Sequence, residues 1–385
     1  MRNPLRPLIA AITFGSLSMV PLPVHAATTW NVAAGGGTAD NAVQAYGFGP
    51  ASITIDAGDT LTWTTGSGEP HTISFGFDNA PPPPLLTSPQ VIGQFIQQIE
   101  SPVGVTPGQT PSFSGSGPLS SGIVGADPNP ATTFSVTFPK AGTYNYLCLF
   151  HPPNMKGTVV VQAAGAPYPQ TQAQVTAAGN AAIQASVAKG QAIQPSVNQI
   201  SQAKNADGST TWTVPAGVGN LDSAVLRFGA PLNAKVGDTV TWVDQDPSTP
   251  HTVTFTPGGQ PLAPQDEPIP ESSVVGGPSY SGSGLFSSGL IGPIPGLKTS
   301  YSLKFVSAGT FNYRCLLHDD EGMLGTINIT GGAPVQAPAQ APSIPTSLPR
   351  TGGGGVGGGF GLGLGLGIAL AAGGAAAAIR RRRNT

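Results

Sequence analysis

The chain repeats itself, and the repeat limits what it can fold into. Thr29-Trp30 answers Thr211-Trp212. Ala57-Gly58-Asp59-Thr60-Leu61-Thr62-Trp63 answers Val236-Gly237-Asp238-Thr239-Val240-Thr241-Trp242. His71-Thr72-Ile73-Ser74-Phe75 answers His251-Thr252-Val253-Thr254-Phe255, and Ala141-Gly142-Thr143-Tyr144-Asn145-Tyr146 answers Ala308-Gly309-Thr310-Phe311-Asn312-Tyr313. Within these segments apolar and polar residues alternate. Leu61 and Trp63 stand between threonines, and Phe134, Val136, Phe138, Leu303 and Phe305 stand between small or polar neighbours. Period-two runs separated by Gly-Asp and Ala-Gly turns indicate short, half-buried antiparallel strands, and many of them in succession indicate a sandwich or barrel. The expected fold is all-β: two tandem Greek-key β-sandwiches, at 28–163 and 209–330, joined by a partly helical linker at 164–208. Gln170 to Ala188 favours helix and Pro195 should end it. With 54 Gly, 40 Pro and only 9% charged residues, the composition agrees with strands and turns.

Each repeat carries the same donors. The first has His71, then Cys148, His151 and Met155; the second has His251, then Cys315, His318 and Met323. Of the chain's 5 His, 2 Cys and 4 Met, only His25, Met1 and Met19 fall outside these two sets, and all three lie in the N-terminal leader. Thiolate, imidazole and thioether are soft or borderline ligands that suit copper, not magnesium or calcium. Zinc sites with Cys-x2-His spacing want more Cys or His nearby than the chain offers. A Cys148–Cys315 disulfide is the ordinary reading for two cysteines in an exported chain. It leaves the shared His spacing and both methionines unexplained. Two imidazoles and one thiolate in a near-trigonal plane, with a weak axial thioether, make an electron-transfer copper site.

These motifs resemble the cupredoxin family, the plastocyanin- and azurin-like blue copper proteins, over both repeats. The second loop has the plastocyanin spacing, Cys-x2-His-x4-Met, whereas the first is one residue shorter after its His. The resemblance implies two copper ions, one held by His71, Cys148, His151 and Met155, the other by His251, Cys315, His318 and Met323. It implies single-electron transfer with redox partner proteins. Thr72 and Thr252 stand where plastocyanins have Asn, and their hydroxyls are candidates to hydrogen-bond the thiolate loop. Two rival functions remain: copper buffering or delivery, and a two-domain copper oxidase or nitrite reductase. An oxidase or reductase needs further histidines for a type-2 or trinuclear centre, and the mature chain has none to spare.

The chain ends carry targeting signals. Arg2, Arg6, the apolar run from Leu8 to Val20 and Val24-His25-Ala26 read as a signal peptide over 1–26, with the mature chain starting near Ala27. Residues 331–347 have a Pro/Ala stalk composition. Within 348–385, Leu348-Pro349-Arg350-Thr351-Gly352, an apolar span over 353–379 and Arg380 to Arg383 resemble a sortase sorting signal. The resemblance implies a sortase-like transpeptidase as partner, cleavage after Thr351 and attachment to the cell wall. A retained membrane anchor is the plainer alternative, since the span exceeds the roughly 20 residues that cross a bilayer. Either way the protein is exported and faces outward. Between the ends, over 27–351, there are 10 basic and 18 acidic residues, which excludes a basic nucleic-acid surface. Two features are left open. The matched loops Ser112 to Gly122 and Ser279 to Gly289 suit a flap over a sheet edge or a docking surface equally. The unlike ligand loops, Pro152-Pro153 against Asp319-Asp320-Glu321, predict different potentials and a more acidic second face.

Overall fold

The computed structural model describes residues 26–77, 98–125, 132–151, 154–259 and 274–331. Residues 1–25 of the leader, the proline run Pro81 to Pro84 that lengthens the first repeat's long loop, Pro152-Pro153, residues 332–347 of the stalk, Leu348 to Gly352 and the apolar span lie outside them. Among the described residues no helix is long and apolar enough to cross a membrane.

The first half runs through β1 (Thr29–Gly37), β2 (Val43–Gly49), β3 (Ser52–Asp56), β4 (Thr60–Thr65), β5 (Ser74–Phe75), β6 (Leu119–Ser120), β7 (Thr133–Thr137), β8 (Gly142–Leu147) and β9 (Lys156–Gln162). Helix α1 (Gln172–Ile193) and edge strand β10 (Ser201–Lys204) follow. The second half holds β11 (Thr210–Asn220), β12 (Ser223–Phe228), β13 (Leu232–Lys235), β14 (Thr239–Gln245), β15 (Thr254–Phe255), β16 (Ser279–Tyr280), β17 (Phe286–Ser287), β18 (Ser300–Phe305), β19 (Gly309–Arg314) and β20 (Leu324–Thr330). Among the described residues the fold is an all-β sandwich with one long helix.

The alternation works as read. In β4, Leu61 and Trp63 point into the core, while the outward Thr60 and Thr62 pair their hydroxyls with Thr137 and Ser135 of β7 at 2.9 and 2.8 Å. Trp63 and Trp242 are the largest fully buried side chains, each ringed by aromatics such as Tyr146 and Tyr313. The repeated Gly-Asp-Thr corner tucks its carboxylate inward. Asp59 accepts from Thr28 N, Trp30 Nε1 and Asp56 N, and Asp238 accepts from Thr210 N, Trp212 Nε1 and Lys235 N. One aspartate thereby ties a strand start, an indole and a turn together in each half.

The two sandwiches are not beads on a linker. β2 pairs antiparallel with β12, Val43 opposite Val225 and Ala45 opposite Ser223. The outer sheets of both halves thus merge into one ten-stranded sheet, with a five-stranded sheet completing each sandwich. α1 lies over the seam. Thr171 caps it in a capping box with Gln174, and its buried face, Val175, Gly179, Ile183, Val187 and Gly190, recurs every three or four residues. Ile183 and Val187 pack with Val43, Ala45, Val218 and Val225 into a core that belongs to neither sandwich alone.

Candidate metal centres

Each donor set is assembled from a strand entry and one loop. His71 forms an isolated bridge with Val124 just before β5, and His251 does the same with Ile291 before β15. Cys148 follows β8 and Cys315 follows β19, so both cysteines lie at a strand end. The loop then turns back: Cys148 N donates to Met155 O at 2.9 Å and Met155 N to His151 O at 3.2 Å. In the second half Cys315 N donates to Met323 O at 3.1 Å and Met323 N to His318 O at 2.9 Å. These bonds close the unequal loops in the same way.

The Nδ1 edges face the sulfur. Cys148 Sγ stands 3.9 Å from His71 Nδ1 and 3.5 Å from His151 Nδ1. Cys315 Sγ stands 4.0 Å from His251 Nδ1 and 3.4 Å from His318 Nδ1, with the two Nδ1 atoms 3.1 Å apart. The donor atoms of each triad lie within 4.8 Å of one another. Donors held about 2.0–2.3 Å from a shared ion in a trigonal plane stand roughly 3.5–4 Å apart, and the sulfur–nitrogen distances of both triads, 3.4 to 4.0 Å, match that spacing. Cys148 and Cys315 are free thiols in separate halves, not a disulfide. All eight ligand candidates are buried, Met155 and Met323 completely.

The loops around each sulfur are fixed by the threonines. Thr72 N donates to Cys148 Sγ at 3.4 Å, and Leu149 N donates back to Thr72 Oγ1 at 2.8 Å. Thr252 repeats this with Cys315 at 3.3 Å and Leu316 at 2.7 Å. The matched Ser/Gly loops act one layer further out. Their ends form β6 and β17, which pair with β5 and β15 beside the upstream His. Ser121 Oγ accepts from Ile73 N and Ser288 Oγ from Val253 N. The acidic second loop is partly turned inward: Asp319 pairs with Arg314 at 3.3 Å and Glu321 is buried, leaving Asp320 exposed.

The metal-free sets differ in charge. In the first, burial raises the Cys148 thiol and lowers His71 to about 3 and His151 to about 4, so thiol and imidazoles are neutral. In the second, burial pushes the same way but is outweighed. Asp246, the Cys315 sulfur and Asp244 hold His251 up at about 9, and His318 with His251 lowers the Cys315 thiol well below its ordinary value. Asp244 itself is pushed up by burial to about 7.

Several residues near the sites escape a reading of motifs. Gly35 and Gly217 sit at matching β-bulges with φ of +70° and +84°. A Cβ on either would stand 2.0 or 2.2 Å from Nε2 of His71 or His251. Their signal is faint: a glycine at the same place in each repeat, within runs that look like turn sequence. Tyr46 stacks on His151 with centroids 4.0 Å apart and planes 11° from parallel. Its hydroxyl shares a 2.6 Å hydrogen bond with Thr249 of the other half. Glu69, also first-half, lies 3.5 Å from His318 Nε2. Glu69 and Thr249 occupy the same place in their repeats, two residues before the upstream His.

No family model matches the chain. It is similar to amicyanin from Paracoccus denitrificans, at 30% identity over 125 residues, 32% of this chain and 69% of that protein. It is similar at 30% over 109 residues to plastocyanin from Scenedesmus fuscus, 28% of this chain and 91% of that protein. Among solved structures, a Cu(I) amicyanin variant matches 34% of this chain and 92% of its own at 25% identity, TM-score 0.21. Oxidised plastocyanin from Dryopteris crassirhizoma matches 34% and 99% at 21% identity, TM-score 0.21.

Proposed function

The chain belongs to the cupredoxin family, and from that premise we propose that it carries single electrons on two type-1 copper centres, one in each half, as a protein displayed on the outer cell surface. The observation that carries the reading is the pair of buried His-Cys-His triads, each with its Nδ1 and Sγ atoms converged. His71, Cys148, His151 and Met155 would hold one ion; His251, Cys315, His318 and Met323 would hold the other. Copper bound there supplies a one-electron Cu(I)/Cu(II) couple.

The chain's own residues keep the donors in one compromise geometry. Thr72 and Thr252 each grip the sulfur loop from both sides, by an amide donated to Sγ and a hydroxyl that accepts the next amide. The Ser/Gly loops brace the strand that follows the upstream His. Burial excludes water, which disfavours ligand exchange and supports electron carriage over copper delivery. The display part of the reading comes from sequence: the leader over 1–26, the stalk and the Leu348 to Gly352 motif with its apolar span.

A reductive titration of the copper-loaded chain tests the proposal. Two coppers per chain, each taking up one electron reversibly, are expected. Irreversible reduction, or more than two coppers with turnover of oxygen or nitrite, would contradict it.

A further inference from the structure

The two halves differ at one repeated position, and the difference crosses the seam. In Gly68-Glu69-Pro70-His71 the residue two before the ligand candidate is Glu; in Ser248-Thr249-Pro250-His251 it is Thr. Glu69 does not serve only its own half. Its Oε1 lies 3.5 Å from Nε2 of His318, whose Nδ1 faces Cys315 Sγ at 3.4 Å. Both residues are at most 4% exposed, so water does not compete for the contact. The Glu69 backbone is anchored in turn: its amide donates to Ser67 Oγ, and Ser67 Oγ donates to Gln44 on β2.

The second set therefore has two carboxylates near its imidazoles, one of them close. Asp246 of its own half lies 3.9 Å from His251 Nε2, and Glu69 of the other half backs His318. His71 Nε2 and His251 Nε2 face matching glycine bulges, both without a hydrogen-bond partner among the described residues, so the sets part at the other imidazole: His151 meets the neutral face of Tyr46 where His318 meets Glu69. An imidazole whose far N–H is given to a carboxylate is a more basic ligand, and a buried negative charge favours the more highly charged metal state.

We propose that Glu69 is a positioning residue that the first half supplies to the second half's metal centre, holding His318 with Nε2 toward the carboxylate and Nδ1 toward Cys315, and that it helps make this centre the lower in reduction potential of the two. The inference rests on the two-centre reading above. It makes the halves one redox unit: the second centre is completed only when the two sandwiches are joined.

The test measures each centre's potential in the full chain. Cys148→Ser isolates the second centre and Cys315→Ser the first. The second centre is expected to have the lower potential. Glu69→Gln is expected to shift its Cu(II)/Cu(I) preference roughly tenfold toward Cu(I), a rise of about 59 mV, with a smaller rise at the first centre and partial rescue by Glu69→Asp. A reversed order, no shift at the second centre, or an equal shift at both would overturn the proposal. A readout without copper keeps the test separate from the two-centre reading. In nitrogen-15 histidine spectra of the metal-free chain, the His318 Nε2 proton should exchange slowly, and faster in Glu69→Ala. Unchanged exchange would overturn the contact even if copper binds; altered exchange in a chain that takes up no copper would sink the two-centre reading and leave the contact standing.

Discussion

A buried carboxylate keeps its charge only if donors replace the water it loses, and Asp238 has three: Thr210 N at 2.7 Å, and Trp212 Nε1 and Lys235 N at 3.0 Å. Burial pushes its pKa up, but the bonds from Trp212, Lys235 and Thr210 win and hold it below the usual carboxylate range. A depressed pKa gives stability that is full above the unfolded value and is lost as pH falls through the folded one. Asp238→Asn should therefore cost about 1–3 kcal/mol at neutral pH. The gap from the native chain should close below roughly pH 4; chemical denaturation across pH reads both. Thr252→Val removes the acceptor for Leu316 N and should cost a similar 1–3 kcal/mol, with a changed visible spectrum at the second centre only. At this scale the ligand candidates were legible because His, Cys and Met are scarce here and fall in matched places. Glu69 and Asp246 were not legible, because a carboxylate contact across a fold leaves no spacing pattern.

At the scale of elements, alternation in β4 and β14 and the Gly-Asp turns were readable, since period two and turn chemistry are local properties. The bulges in β1 and β11 were not. Gly35 looks like one more glycine in Ala34-Gly35-Gly36-Gly37, yet the ring of His71 occupies the space its side chain would need. Gly35→Ala forces a Cβ to 2.0 Å from His71 Nε2 and places alanine at φ +70°, a left-handed conformation that costs about 1–2 kcal/mol by itself. The variant should lose the first copper and keep the second; Gly217→Ala should do the reverse. Metal analysis with the visible spectrum of each variant decides it, and loss of both or neither would count against the bulge's role. The Ser/Gly loops also needed the structure. Their repetition left flap and docking surface open, and only the pairing of β6 with β5 and β17 with β15 shows what they brace.

Over the whole molecule, the sequence reads as two sandwiches and a linker, whereas the structure joins them through β2 and β12 under α1. Val43, Ala45 and Val225 look like ordinary strand residues, and nothing local says that their partner lies in the other repeat. Cross-half contacts reinforce the join: Arg227 Nη2 donates to Asp40 O at 2.7 Å, and Asn154 Nδ2 to Leu221 O at 2.6 Å. One shared sheet and one shared core predict a single calorimetric unfolding transition for the metal-free chain. Two well-separated transitions would mean the seam is weak. The central claim is that the two buried triads are two thiolate-copper centres, and the visible spectrum of residues 27–347 after Cu(II) loading, beside Cys148→Ser and Cys315→Ser, tests it most directly. Intense blue absorption with two coppers per chain, about half of it lost in each variant, is the predicted result. A colourless chain, or colour that one substitution abolishes entirely, would contradict it.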